Sequence, residues 1–558
     1  MQVGFVPGAS GANSCKLLFL KFLRLKGTTI EQLKFKRVFM SRFKFLLIFL
    51  VAISTVALGQ PEASSVPSSA PGLGQVSFPI SCKAEVRPVF ERGVALLHSF
   101  QYAAAEKSFN DVSSNDPQCA MAYWGLAMTV YHPLWEGVND KALTKGRQYL
   151  EKARAIGTAD QREREYIDAL WTFYTHQGDK RLIDYSSAMA EICKHYPQDG
   201  EAQAFYALSL LALPQKGDDL ETRKQAIAIL NKLSAAQPEH PGAVHYLIHA
   251  ADTPELASEG LEAARRYAKI APDSSHALHM PSHIFVRLGL WQESIDSNQA
   301  AALAAAEATK NHLGEAHYQF HAMDFLDYSY LQIGEEGKAR QIVADLDKVP
   351  GRSAEVTTNI RVNFTTRNAL ELHRWKDALA LAPEGDAFDQ ELIFMTRAIA
   401  AARTGEIKLA QENLKSLKKA AVAEKKRDKR WEGFRRDVAE SWLDFARGKQ
   451  EKALKKMRVA ADLQDRDDPG PFSVSAREML ADMLLEAHRP DQALREYEAV
   501  LKLVPNRFNA LYGAARAAET AGDSGKAKEY FSRLRENCPA QADREELQHV
   551  KVVAAGSQ

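Results

Sequence analysis

Three histidine pairs, His245/His249, His279/His283 and His317/His321, carry the clearest chemical signal in this chain. Each is spaced i,i+4, so on a helix both imidazoles project from one face. Two imidazoles so placed make half of a site for a divalent transition ion such as zinc or copper. Nine of the sixteen histidines fall between His240 and His321, which marks the segment as a compositional anomaly. His276 lies three residues before His279 and extends the set; Tyr246 and Tyr318 sit beside paired histidines. Two chemistries suit these residues. One is a histidine- and tyrosine-lined groove that holds a peptide or a protein segment. The other is a metal site, which needs at least three ring nitrogens converging on one point; rings splayed along an open groove would exclude it. Asp252, Asp324 and Asp327 are carboxylates that could join it.

The sequence offers little conventional catalytic machinery. None of the three pairs carries the glutamate of an HExxH zinc-protease helix. There is no Gly-rich phosphate loop, GxSxG elbow, paired-cysteine zinc knuckle or CxxC. The reading therefore leans away from an enzyme and toward a binding protein. Formal net charge is +1 with both signs interspersed, which gives no electrostatic footprint for nucleic acid. The run Lys425 to Arg430 reads as a solvated helix start.

What positions the histidines is a repeat. The first two pairs are offset by 34 residues and the third follows after 38. The first interval is the tetratricopeptide period. Gly93, Ala105, Phe109 and Pro117 fall at the small, small, aromatic and proline positions of that pattern. Ala481, Ala493, Tyr497 and Pro505 repeat it, and Ala515, Ala527, Phe531 and Pro539 repeat it again 34 residues on. The turns at Gly289, Gly334, Arg374, Gly405 and Gly448 divide further helical segments. The expected fold is all-α, a right-handed α-solenoid of roughly ten tetratricopeptide-like helix pairs. In that register His245 and His279 share one position on helix A, and His249 and His283 another. Both positions face the concave groove. Pro281 is expected to lie harmlessly in the first turn of its helix. Tyr123, Trp124, Tyr131, His132, Pro133 and Trp135 read as core packing and a tight turn.

The N-terminal 60 residues carry nine Lys/Arg and one acidic residue, Glu31. Met40 to Lys44 precede an apolar run, and Ala57-Leu58-Gly59 place small residues where a signal peptidase reads. Residues 40–59 are thus expected to be a signal peptide and 1–39 an over-extended start or basic leader; a transit peptide and an uncleaved anchor are the rival readings. The run is short for a membrane span, so an exported protein, periplasmic or extracellular, without stable membrane insertion is expected. Residues 60–80 read as a Pro/Ser-rich linker, 81–350 as divergent repeats with the histidine-rich groove, 351–545 as C-terminal repeats and 546–558 as a tail. Cys82 and Cys119 begin neighbouring repeats, where either a disulfide or two small buried thiols would fit. Cys193 and Cys538 are expected to be free.

The segments Phe90 to Phe109 (FERGVALLHSFQYAAAEKSF), Ala120 to Trp135 (AMAYWGLAMTVYHPLW), Ala243 to Ala250 (AVHYLIHA) and His276 to Gly289 (HALHMPSHIFVRLG) together resemble a family of bacterial, often secreted, tetratricopeptide-repeat proteins. The resemblance covers residues 82–350 in motif detail and the rest only as generic repeats. It implies the repeat fold and the intact histidine set, and no reaction. The function expected from the sequence is an exported scaffold that binds a peptide or protein in its concave groove, with a metal-binding protein or metalloenzyme as the alternative.

Overall fold

A computed structural model describes residues 72–134, 139–214, 219–310, 316–423 and, except for 432, 468, 469 and 471, 431–555. The expected leader and signal peptide, Trp135 and the basic run 425–430 lie outside the described residues. Ser68–Gln558 cluster as one compact unit. Among the described residues the fold is all-α, an α-solenoid of helix pairs with no strand. Twelve pairs precede a final helix, Glu546–Ala555. That is more than the glycine turns mark; three A–B turns carry another residue in the positive-φ slot. No helix among the described residues is long and apolar enough to cross a membrane.

The repeat grammar works as its residue sizes require. Phe109 packs between two glycines: a Cβ at Gly93 would lie 2.7 Å from its ring, and one at Gly125 2.4 Å. Helices Arg87–His98, Tyr102–Asn115 and Ala120–Met128 therefore approach closely around a single aromatic wedge. Eight A–B turns close with the same backbone bond, in which the residue after the turn donates five positions back. Leu290 N–H donates to Phe285 O at 2.8 Å, Glu335 to Tyr330 at 2.9 Å, and Glu406 to Ala401 at 2.8 Å. That bond requires a left-handed residue just past helix A, supplied by Gly289, Gly334, Gly405, Gly448 and Gly522.

Some sequence expectations change. The linker ends before Gly72, because Leu73, Val76, Phe78 and Ile80 are buried. Gln75 N–H donates to Glu239 O at 2.9 Å, and the Phe78 ring lies 5.0–5.4 Å from Phe90, Trp124 and Tyr166. Averaging Pro, Ser and Gly over the window hid this spacing of apolar residues. The tail is a helix whose Leu547 and Val550 are buried at i,i+3. Pro281 does stand at the first position of its helix, Pro281–Arg287, but a short helix, Ser275–His279, runs directly into it, so His279 and His283 straddle the junction. Finally, the C-terminal repeats fold back onto the middle of the array. Gly289 meets the Pro505 carbonyl so closely that a Cβ would lie 2.0 Å from it. Trp291 Nε1 donates to Asn506 O at 2.9 Å, and Asn506 Nδ2 to Gly289 O at 3.2 Å.

Cys82 and Cys119 form a disulfide with Cα atoms 5.1 Å apart, tying the start of the array to the second repeat. Cys193 and Cys538 are free thiols, half-buried, and burial pushes both up to about 12. The bridge joins residues 37 apart. Replacing both cysteines by serine is expected to lower unfolding stability by about 3–4 kcal/mol through the freed loop entropy. Urea unfolding of the double variant against wild type checks this; an unchanged midpoint would show that the closed loop contributes nothing.

Candidate metal centre

The histidines gather into two trios instead of a ladder. His245, His249 and His276 form one; His279, His283 and His321 form the other, and in each the ligand nitrogens lie within 4.8 Å of one another. His317 belongs to neither: it is exposed, and its ring lies over Tyr318. The Tyr246 and Tyr318 rings pack beside His245 and His276, at 5.3 and 5.2 Å, while their hydroxyls donate to His98 Nδ1 at 2.9 Å and to Phe100 O at 2.8 Å. Of the three candidate carboxylates only Asp252 reaches a histidine. Asp324 and Asp327 pair with Arg367 at 2.7 and 2.6 Å.

The second trio shows what its atoms are for. Asn298 Nδ2 donates to Ser294 O at 2.7 Å, which turns its Oδ1 toward His279 Nδ1 at 2.6 Å. His279 Nδ1 must then carry the proton, leaving a lone pair on Nε2. His283 Nδ1 donates to Asp252 Oδ2 at 2.9 Å, so in the neutral ring its Nε2 also bears a lone pair. These two nitrogens face each other at 3.1 Å. Burial and then the neighbouring imidazoles His321 and His283 hold His279 well below the ordinary histidine range, so at neutral pH the ring is uncharged. Two facing lone pairs repel unless a cation stands between them. His321 completes the set, its ring 4.4 Å from that of His279, and burial pushes it down to about 3.

The first trio is built alike. His245 Nδ1 donates to the His98 carbonyl at 2.5 Å, which leaves its Nε2 lone pair aimed at His276 Nε2 at 3.0 Å and His249 Nε2 at 3.1 Å. Burial pushes His245 down to about 3 and holds His249 and His276 well below the usual range, with neighbouring imidazoles adding to the effect. Outer groups fix the donors. Burial would raise the Asp252 carboxyl, but Arg287, at 2.9 Å, and His283 hold it well below the carboxylate range. A carboxylate behind a ligating histidine is the common second shell of metal sites.

An open groove is not what these rings line. His245, His276 and His279 are 0–1% exposed, and His249 and His283 only 8% and 5%. The cover is the first A–B turn, residues 98–101, brought against helix Pro241–Ala251. The Phe100 ring lies 4.5 Å from His245 and 5.7 Å from both His249 and His276. Phe100 stands at φ +53, in the slot that glycine fills in five other turns. A bulky left-handed residue costs about 1–3 kcal/mol and is kept where packing over-determines it. His373 and His488 fill the same slot in other turns, so what distinguishes this turn is the Phe100 ring packed against the histidines. The groove-facing assignment on helix A therefore stands only as a face of the helix: the space it faces is filled.

Two other clusters do not call for a metal. His98 and His240 donate from Nε2 to Glu201 at 2.7 and 3.1 Å, while His240 Nδ1 accepts from Ala243 N–H at 3.1 Å. Burial works against the Glu201 charge, but His240 and His98 outweigh it and hold the carboxyl low. Protons satisfy this cluster, and it anchors the residue whose carbonyl orients His245. Cys82, Asp116 and Cys119 also converge, but the cysteines are spent on their disulfide.

No protein-family model matches the chain, and no curated protein does. Among solved structures, the human IFIT1 dimer with m7Gppp-AAAA is 13% identical, with a TM-score of 0.35, over 75% of this chain and 90% of that one. The P58(IPK) TPR domain is 14% identical, with a TM-score of 0.20, over 85% of this chain and 99% of that one. Similarity at this level assigns no ligand or role.

Proposed function

We propose that this repeat protein binds transition metal in its interior, through the trios His245/His249/His276 and His279/His283/His321. One observation carries the reading: His279 Nε2 and His283 Nε2, both lone-pair nitrogens by their Nδ1 partners, face each other at 3.1 Å. His279 and His283 Nε2 at 3.1 Å, and His245 Nε2 at 3.0 and 3.1 Å from His276 and His249, have the spacing of ligands about 2 Å from a shared ion. All-imidazole donors suit zinc or copper. The peptide-groove reading needs free space at the same histidines, where the 98–101 turn and Phe100 now sit. A peptide or protein partner would have to use another surface of the array. The leader read at residues 40–59 and the Cys82–Cys119 disulfide both suit an exported protein in an oxidising compartment.

Elemental analysis of protein purified without a histidine tag tests the proposal. Wild type is expected to carry at least one transition ion per chain, and His279→Ala/His283→Ala to carry measurably less while keeping its helical circular dichroism. Folded wild type that holds no metal, even after zinc or copper is added and the protein desalted, retires the metal reading.

A further inference from the structure

Resting on that reading, we infer that the two trios form one dinuclear copper centre that takes a small anion between its ions. The first ground is proximity. Across the trios, His276 and His279 have ring centroids 6.2 Å apart, and His249 and His283 6.3 Å. Within a trio, His249 and His276 are 6.4 Å apart. Rings this close leave no room for a side chain between the two sets, so ions in each would share one space.

The second ground is charge. All six donors are neutral imidazoles, whereas dinuclear sites for divalent ions ordinarily include carboxylates that offset the ions' charge. The one carboxylate at hand, Asp252, is already engaged by Arg287 and His283. Arg223 adds a further positive charge, donating to the His249 carbonyl at 2.9 Å. Two divalent ions would place four positive charges in a buried site whose fixed surroundings are also net positive. Such a burial is strongly unfavourable unless an anion enters with the ions. Hydroxide or azide, bound to both ions, supplies that charge. Copper is the ion favoured on these grounds, because imidazole donors hold it well and its monovalent form halves the charge when no anion is present.

The third ground is access. His249 and His283 keep only 8% and 5% of their surface, and His321 is half-buried. His321 is the most exposed of the six, so an ion or a small anion would enter from its side.

The test titrates the chelator-treated full chain with Cu(II) at pH 7.5, desalts it, and reads copper content, electron paramagnetic resonance and the azide charge-transfer band. Two coppers per chain, with spin intensity well under half of two independent ions and an azide band, are expected. His321→Ala and His249→Ala each break a different half. Each should keep one copper with a full one-spin signal and lose most of the azide band, with circular dichroism reporting the fold. Two full independent spins in wild type, an azide band unchanged in either variant, or one copper per chain would overturn the dinuclear inference while leaving metal binding intact. No retained copper or zinc at all would overturn both.

Discussion

Acidifying the metal-free protein from pH 7 to pH 5 is expected to lower its unfolding stability. Six buried histidines, His98, His245, His249, His276, His279 and His321, are held below the ordinary value of 6.5, His245 and His321 at about 3. A folded pKa lower than the unfolded one means the unfolded chain binds more protons between the two values. Stability is then fully present above pH 6.5 and falls as pH drops toward 3. Three carboxyls raised to about 6, Asp327, Asp389 and Asp482, act in the opposite sense: below pH 6 the folded chain takes up their protons first. His373 is lowered too, and Glu91 and Asp465 are raised, so seven histidines stand against five carboxyls and the histidines keep control, with a limiting slope of about 3 kcal/mol per pH unit. Domains are stable by only about 5–15 kcal/mol, so the loss should be plain in urea unfolding at pH 7.5, 6 and 5. A midpoint that holds constant over that range would mean the rings are not neutral in the folded state.

Arg507→Met is expected to cost about 3–5 kcal/mol, the largest effect of any single substitution away from the histidines. Arg507 is 1% exposed where the C-terminal repeats close on the middle of the array. Its guanidinium donates to Glu371 at 2.5 Å, to Glu478 at 2.6 and 3.0 Å, and to the Tyr328 hydroxyl at 2.5 Å. Burial disfavours its charge, but Glu371 and Glu478 outweigh that and stabilise it. Methionine fills much of the volume and leaves two buried carboxylates facing each other without a cation. Adding Glu371→Gln and Glu478→Gln should recover most of the loss, since the damage lies in the orphaned charges and not in the missing contact. A triple variant no more stable than Arg507→Met would show instead that packing around the arginine dominates.

Much of this was legible in the residues. The 34-residue interval, the small–small–aromatic–proline grammar and the i,i+4 spacing of the histidines are local facts of helical geometry. They fixed the all-α repeat fold and put His245, His249, His279 and His283 on one helix face. The pairing of Cys82 with Cys119 was open to sequence reasoning as one of two readings, because both residues begin neighbouring repeats. Asp252 was within reach for the same reason, one turn beyond His249. Where composition was averaged, as over 60–80 and past 545, spaced apolar residues such as Val76/Phe78/Ile80 and Leu547/Val550 were overlooked.

What the sequence by itself determined is which residues share a face, since that depends only on 3.6 residues per turn. Only the tertiary structure decided what meets that face. The His98 carbonyl that orients His245 lies 147 residues away, and the Phe100 ring that seals the first trio enters from the same distant turn. The grouping also changed: His276 joined the first pair, His321 the second, and His317 neither. Such choices follow from the small rotation between successive repeats, summed over four or five of them, and from the helix junction at Pro281. No local spacing encodes that sum, so a row of groove-facing histidines on paper becomes two enclosed trios in the fold.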